Sequence, residues 1–299
     1  MSGTLVVSTS LADALAALAS GARPVAGGTD LVVGARQGKK PLPDSIVAIH
    51  QLPELRTLTT EGGGVRLGSL TTHGEIVAHA GIRERYTALA DASSIVGSHA
   101  TRAHGTIGGN VMTASPAMDT GGPLLCLDAS LVLQSLSGTR TVSINEFFLG
   151  PGRTIAAPAE LLVAVELPEI AGQIGSCYVR LEYRRQMEIA VAGATAFVRV
   201  DGDTIVEARI AITALAPTIH RVAAAESLLV GTTGSRADAD AAAKAAAAAA
   251  APISDVRGSA DYRTAMAAVI VRRAIEGALS RARGVEVAIP ATSSLQGTR

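Results

Sequence analysis

Two short segments hold most of the chemistry legible in this chain: Ala26-Gly27-Gly28-Thr29-Asp30 and Thr106-Ile107-Gly108-Gly109-Asn110. Adjacent glycines let a backbone approach a ligand closely and turn successive N–H groups the same way. The result is an anion nest, and a helix starting just beyond it adds positive potential. One nest on each side suits a diphosphate. Either segment alone reads more readily as an ordinary tight turn, and the occurrence of two similar ones brings the phosphate reading level with it. No G-x-G-x-x-G follows a strand, which excludes a Rossmann site. Gly34–Lys40 falls one residue short of a Walker loop, with Lys40 where Ser or Thr should hold magnesium, and reads as a solvated basic loop.

Other chemistry is sparse. His99 and His104 are wrongly spaced for a metal pair on one helix face and read as loop histidines. His220-Arg221 reads as a helix start. Cys126 and Cys177 lack the CxxC pattern of a zinc or iron–sulfur site, and buried reduced thiols are favoured over a disulfide. No catalytic constellation and no metal site are expected.

The elements that must position these loops follow from pattern. Ser10 caps a helix carrying Leu11, Leu15 and Leu18, and Gly21 stops it. The apolar runs Leu5–Val7 and Pro24–Ala26 flank it, which makes a βαβ unit. Further strands are expected at Ser45–Ile49, Val65–Gly68, Leu131–Leu136, Arg140–Ile144 and Leu161–Leu167, with helix over Thr72–Val96. Past residue 170 the pattern becomes a three-stranded meander, Cys177–Arg184, Thr195–Val200 and Thr204–Thr213, with Asp201-Gly202 as a hairpin turn. A helix follows in the alanine tract Ala237–Ala251, capped by Ser235, and a last one covers Ala260–Arg281.

The chain has 299 residues, which favours two domains; 48% are hydrophobic and only 2% aromatic, so the cores must be built from Ala, Val, Leu and Ile. Lys+Arg and Asp+Glu are both 26, against a nucleic-acid binder. With no basic leader, Asp13 interrupting the N-terminal apolar stretch and no long uncharged apolar run, the chain reads as cytoplasmic, without a transmembrane segment.

The segments AGGTDL (Ala26–Leu31) and TIGGN (Thr106–Asn110), continued by Thr113-Ala114-Ser115-Pro116 and Asp119, resemble the paired flavin loops of the FAD-binding subunits of molybdenum hydroxylases. These are the medium subunits of carbon monoxide dehydrogenases and the middle domains of xanthine dehydrogenases. The resemblance continues through Glu160-Leu161-Leu162, Glu166-Leu167-Pro168, Arg184-Arg185, Ile189-Ala190 and Pro252–Arg263. It implies an α+β chain. A two-lobed FAD-binding domain of the PCMH (vanillyl-alcohol oxidase-like) type would occupy 1–170, its α/β lobes at about 1–55 and 56–170. A three-stranded antiparallel sheet with C-terminal helices would occupy 171–285, and 286–299 would be a flexible tail.

Site roles are implied residue by residue. Ala26, Gly27, Gly28, Thr29, Asp30, Thr106, Ile107, Gly108, Gly109 and Asn110 would hold the FAD pyrophosphate, largely through backbone N–H groups, with side-chain bonds from Asn110 and Thr113. Val25, Leu31, Thr101 and Ser115 would complete the contacts. Asp119 would accept from a ribose or adenine-side hydroxyl, Leu162 would pack on the isoalloxazine, and Arg180 would stand at its pyrimidine edge. Arg180 replaces the family's frequent Lys, Glu188 its Asp, and Ala103 its Asn, while Arg102 is retained.

The implied function is electron transfer through FAD to NAD, quinone or oxygen. The partners would be a large molybdopterin-binding subunit and a small 2Fe-2S subunit, in a dimer of heterotrimers. The alternative is a free-standing FAD-dependent oxidase of the vanillyl-alcohol oxidase class, against which the short, Ala-rich segment after 170 counts.

Overall fold

The computed structural model describes residues 3–38 and 41–292. The chain is α+β and divides into two compact units, built from Met1–Glu75, His99–Ala114 and Ala129–Glu169, and from Ile76–Ser98, Ser115–Asp128 and Ile170–Arg299. One boundary thus falls at 169/170. Segments 76–98 and 115–128, within the expected second lobe of 56–170, group with the C-terminal half.

In the first unit, strands Thr4–Val7, Ser45–Ala48 and Arg23–Val25 form a parallel sheet in that order. Ser10 Oγ accepts from Asp13 N and starts helix Leu11–Ala19, which buries Ala14, Leu15 and Leu18. A five-stranded antiparallel sheet runs in the order Leu58–Glu61, Gly64–Gly68, Leu161–Leu167, Ser130–Ser135, Gly138–Ser143. Leu15, Leu18, Val47, Ile49, Val132, Leu161 and Val163 share one core, so burial of aliphatic side chains holds the small sheet to the larger one.

In the second unit the antiparallel sheet has four strands: Gln173–Leu181, Ala192–Asp201, Thr204–Thr213 and the two-residue His220–Arg221. His220-Arg221 pairs with Ile212 and Ala211 rather than opening a helix, and the helix there begins at Ala223. The hairpin turn lies one residue beyond its expected place, at Gly202-Asp203, with Gly202 at φ +57. One face of the sheet packs on Arg236–Ala248 and the 23-residue helix Ala260–Ala282 through Ala, Val and Ile. Ser235 and Asp238 form a full capping box at the alanine helix. Tyr178, on the other face, packs against Ala88, Ala92 and Ile95 of helix Thr87–Ile95.

The expected long helix over Thr72–Val96 is three helices, His73–Ala78, Ala80–Arg85 and Thr87–Ile95. His79 leaves helical geometry and caps the second through Nδ1 to Ile82 N; Tyr86, at φ −120, ends it. The tail expected to be loose from 286 is anchored as far as Thr292. Both Ala291 and Thr292 are buried, Ala291 N donates to Asp91 Oδ1 and Arg180 N donates to Thr292 Oγ1. Residues 293–299 lie outside the described residues. Cys126 and Cys177 are free, buried thiols, and burial pushes both up from their ordinary ionisation range. Among the described residues no helix is long and apolar enough to cross a membrane.

Candidate functional site

The first diglycine loop leaves strand Arg23–Val25, whose last carbonyl accepts from Ile49 N at 3.0 Å. From Ala26 to Leu31 no backbone N–H donates to an acceptor among the described residues. Gly28 sits at φ +69, a conformation that costs glycine nothing and turns the chain into helix Leu31–Arg36. Asp30 makes no side-chain cap bond there, so the turn itself supplies no acceptor for this row of donors. Such a row is an anion nest. Arg36 and Gly34 are helical, not loop, and Lys39 and Lys40 of the expected basic loop lie outside the described residues.

The second segment is built otherwise. His99–His104 is a short helix, and Thr106 caps the next, Ile107–Thr113. Gly109 N donates to Thr106 Oγ1 at 3.1 Å, Gly108 N to Ser69 O at 3.0 Å, Ile107 N to Thr71 O at 2.9 Å and Asn110 N to Thr106 O at 3.0 Å. The expectation that both loops bind through N–H groups therefore needs correction. The donors of Ile107 to Asn110 are engaged within the protein, and those of Ala26 to Leu31 have no acceptor among the described residues.

The two loops nonetheless meet. A Cβ on Gly27 would stand 1.9 Å from the His104 carbonyl oxygen, so glycine is what lets the two backbones touch. The Thr113 hydroxyl lies 3.0 Å from Asp30 Oδ2 and 2.8 Å from the Gly109 carbonyl, tying one segment to the other. Gly108 is buried, its Cβ position 2.5 Å from Ser69 Cβ. Gly109 is exposed, and a Cβ there would meet only Thr106 Oγ1, at 3.1 Å. Apart from Thr106 Oγ1, the Cβ position of Gly109 meets open space; that of Gly108 does not.

The remaining expected residues divide. Leu162 is buried in the central strand, 2% exposed. Ser115, Asp119 and Arg180 belong to the second unit. Asp119 accepts from Tyr178 Oη at 2.7 Å and from Arg180 Nη1 at 2.9 Å. Arg180, its side chain wholly buried, also binds Glu182 and the Glu188 carbonyl. Asp119 and Arg180 are thus partners of each other. Their separation of 61 positions hid this.

His73 was missed. Its backbone N–H donates to Gly105 O at 3.0 Å, placing it behind the second loop, and its Nδ1 has no hydrogen-bond partner. Burial, then the Arg102 charge, pull its pKa from 6.5 to about 4. Thr72-x-x-Glu75 was the available signal: Glu75 Oε2 accepts from Thr72 N and Thr72 Oγ1 from Glu75 N, a capping box that fixes His73 at the first helical position. The folded chain disfavours protonated His73, so its contribution to stability is full above pH 6.5 and is lost as pH falls to about 4. The 2.5-unit difference corresponds to about 3 kcal/mol. Urea midpoints across that window are expected to fall more steeply for the wild type than for His73→Gln; parallel slopes would refute this.

Residues 2–170 match the family model described as the FAD binding domain in molybdopterin dehydrogenase, and residues 178–278 match the CO dehydrogenase flavoprotein C-terminal domain. The chain belongs to the FAD-binding subunits of the molybdenum hydroxylases. It is 34% identical to the carbon monoxide dehydrogenase medium chain of Hydrogenophaga pseudoflava, over 89% of this chain and 92% of that one. It is 31% identical to the xanthine dehydrogenase FAD-binding subunit of Escherichia coli O157:H7, over 92% and 95%. Among solved structures, the Hydrogenophaga carbon monoxide dehydrogenase superposes with TM-score 0.90 at 33% identity, covering 94% of this chain and 98% of that one. Quinoline 2-oxidoreductase from Pseudomonas putida 86 does so with TM-score 0.87 at 27% identity, over 98% and 99%. As in these molybdenum hydroxylases, the chain is an oxidoreductase subunit with an FAD-binding domain. The N–H row at Ala26–Leu31, without acceptors among the described residues, is of a kind that suits the diphosphate of that cofactor.

Proposed function

We propose that this chain binds one FAD, its diphosphate on the N–H groups of Ala26 to Leu31 and against Gly109, and serves as the electron-transfer subunit of a heteromeric molybdenum hydroxylase. The observation that carries the reading is the run of backbone donors at Ala26–Leu31 that find no acceptor among the described residues. Hydrogen bonds to a charged group contribute about 1.5–3 kcal/mol each, so a few such donors give a non-covalent cofactor a firm hold. Thr113, within reach of Asp30 and Gly109, keeps the two loops at the spacing the ligand needs. Thr106, as helix cap, keeps Gly109 at the surface. The bound flavin would supply exchange of single electrons with iron–sulfur clusters and of pairs with a two-electron acceptor.

The partners in this reading are a large molybdopterin-binding chain and a small 2Fe-2S chain, in a dimer of heterotrimers, with NAD, a quinone or oxygen as the terminal acceptor. The two cysteines, both buried, leave cluster ligation to another chain. The purified chain is expected to release one FAD on denaturation and to reduce a dye with NADH at most, oxidising no organic substrate alone. Absence of flavin would overturn the cofactor assignment, and substrate turnover by the isolated chain would favour the free-standing oxidase.

A further inference from the structure

The segment Pro252–Arg263 takes no part in the cofactor loops, yet it is held with unusual care. Asp255 and Gly258 exchange reciprocal backbone bonds at 3.1 Å. The Asp255 carboxylate accepts from Arg257 N at 2.8 Å and Arg257 Nη1 at 3.1 Å, and pairs with the buried Arg263. Arg263 Nη1 also donates to Ala214 O at 3.4 Å. Ser254 Oγ accepts from Ala260 N at 2.9 Å, and Tyr183 Oη donates to Arg257 O at 2.7 Å. At the apex of this braced turn stands Val256, 99% exposed. Fixing a residue costs backbone entropy. Here five side chains fix a turn whose apolar tip is left to solvent.

The surroundings have the composition of an interface. Of the four tyrosines, Tyr86 and Tyr178 are buried, whereas Tyr183 is 62% exposed; Ile253, Met187 and Ile189 are exposed as well. Aromatic residues, Met and Arg are the types enriched where proteins dock. Charge narrows the partner. Arg184 is 67% exposed, and exposed Arg185 has no partner among the described residues. Glu188 and Asp255 are turned onto their own arginines, which leaves Asp261 as the outward acid of these segments.

We propose that the Val256 turn, with Tyr183 and Ile253 beside it, is the docking point for another subunit of the enzyme, one presenting an apolar pocket edged by carboxylates. This rests on the proposed function, which supplies the partner. A preformed knob keeps the ordering cost of association low, and the arginines steer and orient it.

The test uses the tagged chain purified from cells making the whole complex, with FAD, molybdenum and iron measured per chain. Val256→Asp is expected to keep its FAD and melting temperature, as a fully exposed position allows, while molybdenum and iron per chain fall roughly tenfold. Val256→Ser should move the same way by less, and Arg185→Glu should weaken retention. Molybdenum and iron at wild-type levels in Val256→Asp would overturn the docking assignment alone. A wild-type chain carrying FAD but neither metal would overturn the proposed partnership, and the docking point with it. Loss of self-association, with both metals retained, would assign the turn to a second copy instead.

Discussion

Arg281→Leu is expected to destabilise the second unit by about 3–5 kcal/mol, the cost of stranding a buried charge. Asp91, in helix Thr87–Ile95, is fully buried and takes both terminal nitrogens of Arg281, at 2.6 and 2.9 Å. It also accepts from Tyr178 N at 3.1 Å and Ala291 N at 3.0 Å, and Arg281 reaches Ser176 O, Val287 O and Ala288 O. One ion pair therefore ties a helix, a strand, the long C-terminal helix and residues 287–291. Removing the guanidinium leaves a carboxylate with two amide donors and no countercharge. Urea denaturation and limited proteolysis are the measurements: the midpoint should drop, and cleavage should appear between 284 and 292 before global unfolding. Asp91→Asn should also destabilise, and the double variant by less than the sum of the two, since the stranded charge is then gone. Removing the partly exposed pair Arg66–Glu166 should cost no more than about 1 kcal/mol. Equal costs for the two pairs would show that the buried one is not the tie it resembles.

What could be read from the sequence had a local cause. Ser10 and Ser235 cap their helices because the accepting oxygen and the orphan N–H lie three residues apart, and Gly202 turns its hairpin because positive φ suits glycine. The βαβ unit and the meander followed from apolar periodicity. What escaped is set by contacts distant along the chain. Nothing near residue 119 marks Asp119 as the partner of Arg180, and nothing near 290 marks the Ala291 amide as a donor to Asp91. The helix over 72–96 read as continuous because its interruption rests on His79 capping Ile82, a role histidine seldom takes. The loops were legible as loops. Their unequal employment was not, because Ser69, Thr71 and His104 decide which glycine faces a neighbour and which faces open space.

That inequality gives the second large effect. Gly27→Val and Gly108→Val are expected to lose FAD because the first unit no longer packs. Gly109→Val should lose it with the fold intact. At Gly27 an added Cβ would lie 1.9 Å from a carbonyl oxygen, and at Gly108 it would lie 2.5 Å from Ser69 Cβ and 2.7 Å from Ser69 O. Backbone must move in both, at a cost of several kcal/mol in a well-packed core. At Gly109 the nearest atom is Thr106 Oγ1 at 3.1 Å, and valine in a helical position costs less than about 1 kcal/mol relative to alanine. With the diphosphate placed against Gly109 as proposed, the valine side chain of Gly109→Val would stand in its way. Losing one or two charge-assisted bonds there corresponds to roughly a tenfold to thousandfold weaker hold on FAD. Melting temperature and FAD per chain, measured on the same preparations, separate the cases. Gly27→Val and Gly108→Val should fall in both quantities, and Gly109→Val in FAD alone. Full FAD in a folded Gly109→Val chain would mean that the diphosphate lies elsewhere, and that the donors at Ala26–Leu31 face water.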